Sequence, residues 1–306
     1  MENQEEHVFT FENSGRLLVS TIAYPLEHAK ILIQIGHEPL KPYPTKTIFG
    51  SPVLGLPNIF KYIKHIYNVD GLLGCYRGFI PWISTSMLYR YSQTKVKESF
   101  PKIANENKDE DDLTENERLT MFTNVLFQGV VCRTVAVVVS QPLHVITIRT
   151  IAQFVGHETK YSGIFSALWT IVKEEGILGL FSGLLPRLLG DIFIYTFATT
   201  GIYLAHEFVV KDKITRKYVD GIIQYISSAS FYSFIVVGSC MAVTDSGLSA
   251  GSPPNMPHYH HMFHCWGHLQ QLHQLKRGSS VLWRYYTPVS ERMLAGERGS
   301  GALGRL

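Results

Sequence analysis

The sequence predicts an all-α membrane protein: a bundle of about five transmembrane helices, with short amphipathic helices lying along the interface. Three observations carry that expectation. Only 17% of the 306 residues are charged, against 45% hydrophobic, and the mean hydropathy is slightly positive at +0.05. The run Gly221 to Thr244, "GIIQYISSASFYSFIVVGSCMAVT", holds 24 residues without a charge, enough to cross about 30 Å of hydrocarbon at roughly 1.5 Å per residue. A module of roughly a hundred residues also occurs twice, which is how repeat architectures announce themselves.

The elements follow in chain order. The N-terminus, "MENQEEHVFTFENSG", places four glutamates before Arg16, unlike a secretory signal or an Arg-rich transit peptide, so any organelle address is expected to be internal. A first span is expected over Leu17 to Ile35, interrupted by Glu27 and Lys30. A short amphipathic helix is expected near Leu56 to Tyr67, with Ile59, Ile63 and Ile66 on one side. The acidic-glycine turn Asp70-Gly71 leads to a second span over Leu72 to Tyr91, flanked by Arg77 and Arg90. "NENKDEDDLTENE", Asn105 to Glu117, is a solvated acidic linker.

The second half repeats the order. Thr120 to Ile148 is a span containing Arg133, and Tyr161 to Val172 is a second amphipathic helix with Phe165, Leu168, Trp169 and Val172 on one side. The turn Glu175-Gly176 opens a fourth span that keeps Arg187 and Asp191 one helical turn apart. Gly221 to Thr244 is the fifth. After Thr244 no apolar run approaches the length of a span, so a sixth helix is missing from the expected bundle and the two termini fall on opposite sides of the membrane.

The duplication is visible in paired motifs. "GFIP" at Gly78 to Pro81 matches "GLLP" at Gly183 to Pro186, and "YPLEHAK" at Tyr24 to Lys30 matches "QPLHVIT" at Gln141 to Thr147. The expected organisation is an acidic tail over 1–13, a first repeat over 14–104, the linker over 105–117 and a second repeat over 118–212. A degenerate third repeat with one span covers 213–283, and a divergent tail covers 284–306. Prolines 25, 81, 142 and 186 lie in or near spans, where helix kinks are their expected role.

Several functions are disfavoured. The net charge of +3 is small and evenly spread, with no basic and aromatic interleaving, so no nucleic acid is expected as a partner. The four cysteines have no CxxC spacing and read as buried free thiols. His260, His264 and His268 fall at i, i+4 and i+8 beside Cys265, but surface helices often carry histidines, and neither metal nor cofactor is expected. No nucleophile elbow, phosphate loop or zinc-protease motif occurs, so catalysis is not expected.

The paired motifs resemble the mitochondrial carrier repeat, P-x-[D/E]-x-x-[K/R] followed by an acidic-glycine turn and an aromatic-x-G. The first copy reads Pro25, Glu27 and Lys30, then Asp70-Gly71 and Tyr76-Arg77-Gly78. The second keeps Pro142, Glu175-Gly176 and Phe181-Ser182-Gly183. "HVITIRTIAQFVG", "EEGILGLFSGLLPRLLGDI" and "KILIQIGHEPL" are similar to the mitochondrial carrier homolog proteins, a divergent branch of that family, over about Ser14 to Trp283.

The resemblance implies a carrier-like bundle, with Pro25, Glu27, Asp70, Gly71, Gly78, Pro142, Glu175, Gly176, Gly183 and Pro186 as its structural positions. It implies a multi-pass protein of the outer mitochondrial membrane that inserts tail-anchored and other α-helical proteins. It allows docking of pro-apoptotic Bcl-2 family proteins, and it puts Lys30 and Asp191 where charge would tune activity.

Departures from the carrier pattern sharpen the expectation. A solute carrier closes a gate with three acid–base pairs, one per repeat. Here the first repeat offers Glu27 and Lys30, the second has His144 and Thr147 in those slots, and the third aligns Ser233, Ile235 and Gly238, without the proline. That ring cannot form. A charge held in a span costs about 2.5 to 3.5 kcal/mol unless it faces a cavity or reaches the interface, so Lys30, Arg133, His144, Arg149, Arg187 and Asp191 are expected to line a laterally open hydrophilic groove. Two readings of Arg187 and Asp191 stay open: groove charges, or an i, i+4 pair hidden within one helix. Insertion of client helices is the leading function. Docking scaffold, solute carrier and lipid scramblase follow it.

Overall fold

A computed structural model describes residues 2–46, 50–101, 114–210 and 212–286. Most of the acidic linker and the tail after Tyr286 lie outside them. The described residues form nine α-helices and one small sheet. The helices are α1 (Glu2–Gln34), α2 (Ile59–Cys75), α3 (Phe79–Glu98), α4 (Glu115–Ala152), α5 (Ile164–Glu175), α6 (Leu184–Phe208), α7 (Lys213–Ser230), α8 (Tyr232–Val243) and α9 (Met262–Gln271). Strands β1 (Tyr43–Lys46), β2 (Pro52–Leu56) and β3 (Arg284–Tyr285) pair antiparallel in that order.

The chain is an all-α membrane protein in its architecture. Helix α4 begins where Thr114 and Glu117 close a reciprocal cap: the Thr114 N–H donates to the Glu117 carboxylate at 2.9 Å, and the Glu117 N–H donates back to the Thr114 hydroxyl at 3.4 Å. From there it runs 38 residues. Helix α4 and the stretch Ile177–Phe208 are each long and apolar enough to cross a membrane. Helices α1 and α3 cover the two weaker expected spans but fall short of the same apolarity among the described residues. Glu27 and Lys30 of α1 and Arg90 of α3 face a cavity described below.

The fifth expected span is not one straight helix. Gly221 to Thr244 is shared between α7 and α8, which are bent by 46° where they meet at Phe231. An uninterrupted apolar run cannot reveal such a break, but its serines can. Ser227 and Ser230 turn their hydroxyls back onto the Ile223 and Ile226 carbonyls, each at 2.8 Å, a habit that bends helices. Phe231 then packs at ring distances of 5.5 and 5.0 Å on Phe193 and Phe197 of α6. Helix α7 lies along α6, whereas α8 enters the core among α1, α4, α6 and α9.

Both short amphipathic helices form, and they turn their stripes differently. In α2 the expected stripe faces inward, Ile59 and Ile66 being buried and Ile63 packed on the core. In α5 the core face is Ala167 and Ile171 with Val172 packed against it, while Phe165 and Trp169 of the expected stripe look outward, 90% and 70% exposed. An aromatic pair on the outer face suits a membrane interface, where a flat ring can sit between lipid and water.

The two G-x-x-P sites explain how neighbouring helices come so close. Gly78 and Gly183 cap α3 and α6 with φ of 81° and 70°, a conformation that glycine adopts without a Cβ clash. A Cβ on Gly183 would stand 2.5 Å from the Gly238 carbonyl of α8, and one on Gly78 would meet Ile151 of α4 at 2.9 Å. Each repeat therefore seats the start of its second long helix directly on the first long helix of the next repeat. Pro81 and Pro186 sit in the first turns of α3 and α6, where an N–H has no helical acceptor to lose. They start helices, and only Pro25 and Pro142 lie in helix interiors.

The sheet was not anticipated. Strand β3 comes from the stretch expected to be a divergent tail, and it pairs Tyr285 with Gly55 and Arg284 with Leu56. Arg284 is nearly buried, donating to the Pro57 carbonyl at 2.9 Å and to the Glu38 carboxylate.

At the same end of the bundle, buried Phe154 is ringed by His28, His37, His65 and His157, at centroid distances of 5.8 to 6.4 Å. Burial, with His65 and His157 beside it, lowers the His37 pKa from 6.5 to about 4. The unfolded chain therefore takes up a proton near pH 6.5 that the folded chain refuses until about 4, and His37 costs stability as pH falls through that window. The unfolding midpoint in detergent should drop between pH 7 and pH 5, and His37→Gln should flatten the drop. Equal slopes would remove His37 from the account. Separately, Gly183→Ala should destabilise by about 1 to 3 kcal/mol, whereas Gly221→Ala, in an exposed helix with no atom near the added methyl, should be neutral or slightly stabilising in the same thermal assay.

Candidate functional site: a polar groove among the long helices

A cavity of about 620 Å³ opens among α1, α3, α4, α6 and α8. Helix α1 contributes Glu27, Lys30 and Gln34, α3 contributes Tyr89 and Arg90, and α4 contributes Arg133, His144 and Thr147. Helix α6 adds Arg187 and Asp191, and α8 adds Ile235, Gly238 and Ser239. Four basic and two acidic side chains thus share one concave surface inside a bundle whose outer faces are apolar.

Five of the six expected groove residues are brought together here: Lys30, Arg133, His144, Arg187 and Asp191. The slots expected to have lost a gate also coincide in space. Glu27 and Lys30, His144 and Thr147, and Ile235 and Gly238 all line this cavity, so three helices present their acid and base positions to it and only the first carries the charges.

Arg187 and Asp191 do not pair with each other. Asp191 receives the Tyr89 hydroxyl at 3.0 Å and lies 3.3 Å from the Arg133 guanidinium, which itself rests 4.5 Å from the centre of the Tyr195 ring. This cluster ties α3, α4 and α6 together. Arg187 instead donates to the Gln141 side-chain oxygen at 2.8 Å and to the Ser140 hydroxyl at 3.1 Å, while the Gln141 amide donates to the Ser182 carbonyl at 2.8 Å. Lys30 holds its ammonium 5.9 Å from the centre of the Tyr232 ring. Among the described residues, neither Lys30 nor Arg187 has a carboxylate within ion-pair distance.

Arg149 corrects the expectation. Its side chain is fully buried outside the cavity, paired in a two-pronged bridge with Glu175 and donating its Nε–H to the Ala242 carbonyl at 2.9 Å. Arg149 directly follows Thr147 and Ile148, the last groove residues of α4, but its side chain turns away to where α5 and α8 close over it, so it fastens three helices instead of lining a path. The first repeat solves the same problem locally, Asp70 pairing with Arg77 at 2.9 Å.

Uncharged residues were missed because only charges were weighed. Tyr89, Tyr195, Gln34 and Gln141 carry much of the hydrogen bonding, and Gln141 had a signal: it stands in the proline motif where the first repeat has Tyr24. Gly129 is the complement of Tyr195, since a Cβ there would fall 1.9 Å from the tyrosine hydroxyl. The histidines of the last helix do not converge: His260 stacks on His264 at 5.8 Å, while His268 hydrogen-bonds the Tyr259 hydroxyl at 2.9 Å.

The family model for mitochondrial carrier proteins matches residues 14–108 and 119–214. Mitochondrial carrier homolog 2 of Homo sapiens is 33% identical over 274 residues, covering 87% of this chain and 90% of the relative. Mitochondrial carrier homolog 1 of Mus musculus is 35% identical over 291 residues, covering 87% and 74%. The putative mitochondrial transporter UCP3 of Bos taurus is 24% identical over 295 residues, covering 93% and 86%.

A buried ion pair loses about 3 to 5 kcal/mol when one partner is removed, whereas replacing both with apolar groups is often tolerated. Arg149→Met or Glu175→Gln alone should therefore lower the unfolding midpoint sharply. The double change Arg149→Met with Glu175→Met should recover most of the loss in the same thermal assay.

Proposed function

From the premise that the chain belongs to the mitochondrial carrier family, and so to the proteins of mitochondrial membranes, we propose that it is an insertase of the outer membrane for tail-anchored and other α-helical proteins. The observation that carries this reading is the polar groove, whose charges Lys30 and Arg187 lack carboxylate partners among the described residues. A client helix is apolar along its length but must drag a polar flank through hydrocarbon, where each unsatisfied polar group costs several kcal/mol. Fixed charges and hydroxyls along one wall give that flank partners while its apolar part moves out into lipid. No covalent bond is made or broken.

Solute exchange is less well supported. Alternating access needs a gate that opens and closes, and the gate slots here hold one acid and one base on α1 against His144, Thr147, Ile235 and Gly238.

The test is insertion of a radiolabelled tail-anchored protein into liposomes holding the purified chain, wild type against Lys30→Glu and Asp191→Arg. The inserted fraction should exceed that of empty liposomes and change severalfold in each variant, with folding retained. Insertion no better than empty liposomes would overturn the proposal. If pro-apoptotic Bcl-2 family proteins still bind, the chain is a docking scaffold, and if solute flux appears instead, it is a carrier.

A further inference from the structure

A second cavity, of about 360 Å³, lies between the end of α1, the small sheet and the chain that runs from α9 to β3. Among the described residues it shares no lining residue with the groove. Its wall is basic. Lys276, Arg277 and Arg284 stand against one carboxylate, Glu38, and Arg284 already occupies that carboxylate. Neither Lys276 nor Arg277 has a carboxylate within ion-pair distance among the described residues.

The backbone is shaped to hold Arg277 in this wall. Gly36 has a φ of 92°, and a Cβ there would stand 2.5 Å from the Arg277 guanidinium, so a glycine leaves the arginine its place. The guanidinium donates to the Gln274 side-chain oxygen at 3.2 Å and to the Gln34 carbonyl at 2.7 Å, which fix its plane. Its Nε–H is buried without an acceptor. Gly278, with a φ of 75°, then turns the chain so that Ser279 and Ser280 also line the cavity. Among the described residues neither serine hydroxyl has a hydrogen-bond partner.

Cations in excess of carboxylates, with hydroxyls beside them, suit an anion with more than two oxygens. A carboxylate brings two oxygens and one charge, whereas a phosphate monoester brings three strong acceptors and a charge between one and two. Guanidinium and ammonium groups bond such oxygens with charge on both sides, the stronger class of hydrogen bond.

We propose that this cavity binds a phosphate group, with Lys276 and Arg277 as its cationic donors and the Ser279 and Ser280 hydroxyls as its neutral ones. Two sources carry that group: inorganic phosphate in solution and the headgroup of an anionic phospholipid. Lys276 is exposed and touches no other described side chain, so its charge can be changed without disturbing the fold. The site depends on neither the groove nor the insertion of clients.

The experiment titrates the purified full chain in dodecyl maltoside, a phosphate-free detergent, at constant ionic strength, with binding read by calorimetry. Inorganic phosphate and soluble dihexanoyl phosphatidylglycerol are the two probes, and acetate is the control anion. At least one phosphate probe should saturate the chain, Lys276→Gln should weaken it about tenfold, and Lys276→Glu should abolish it. Partition of the lipid into micelles does not depend on residue 276, so the difference between wild type and variant reports the cavity. Saturation by inorganic phosphate identifies the free anion as a ligand, and saturation by the lipid alone identifies the headgroup. Saturation by neither, equal affinity for acetate, or binding unchanged in Lys276→Glu would overturn the proposal.

Discussion

A charge inside an apolar bundle must find a partner or keep access to water, and the way each one is accommodated organises this protein. Arg149 and Glu175 satisfy each other in the dry interior and, with the Ala242 carbonyl, lock α4, α5 and α8. Arg133 and Asp191 meet at the groove surface with Tyr89 between them and join α3, α4 and α6. Arg187 finds only neutral partners, and Lys30 only an aromatic face. Charge satisfaction is complete at the buried Arg149–Glu175 bridge and only partial along the cavity, where Arg133 and Asp191 pair but Lys30 and Arg187 do not. That gradient separates scaffold from site.

The two repeats reach similar folds by different ionic solutions. Seven residues after the proline, the second repeat has Arg149 and the first has Leu32, which is fully buried. With Leu32 in place of a base at that position, the first repeat keeps its acid Asp70 occupied with Arg77, at the position where the second repeat has Ser182. The ion pair of the second repeat joins a long helix to a short one, whereas that of the first stays within its own turn. Both repeats keep a glycine, at 78 and 183, where a positive φ and close packing disfavour a side chain, while their charges differ.

Much of this was legible in the sequence, for reasons that particular residues make plain. Long apolar runs, acidic-glycine turns and the G-x-x-P pairs depend on local periodicity and backbone conformation, so they located the helices, the repeats and five of the six groove residues. The partner of each charge depends on which helix faces which. The i, i+4 spacing of Arg187 and Asp191 left groove charges and a private pair both open, and their partners come from α3 and α4. Arg149 looked like another span charge until α5 and α8 covered it. The strand at Arg284 was hidden for the same reason: it arises from pairing between segments far apart in the chain.

The small sheet has a topological effect out of proportion to its size. By pairing β3 with β2, and Arg284 with Glu38 across 246 residues, the chain closes a covalent-plus-hydrogen-bonded circuit around nearly all of its long helices. Such a circuit cannot be completed until synthesis has passed residue 285, after every long helix has emerged. Loop-closure entropy grows only slowly with length, so the late stitch is thermodynamically inexpensive, but it comes last in time. The same clasp offers the shortest way to open the ring, since two short strands and one arginine hold its ends together.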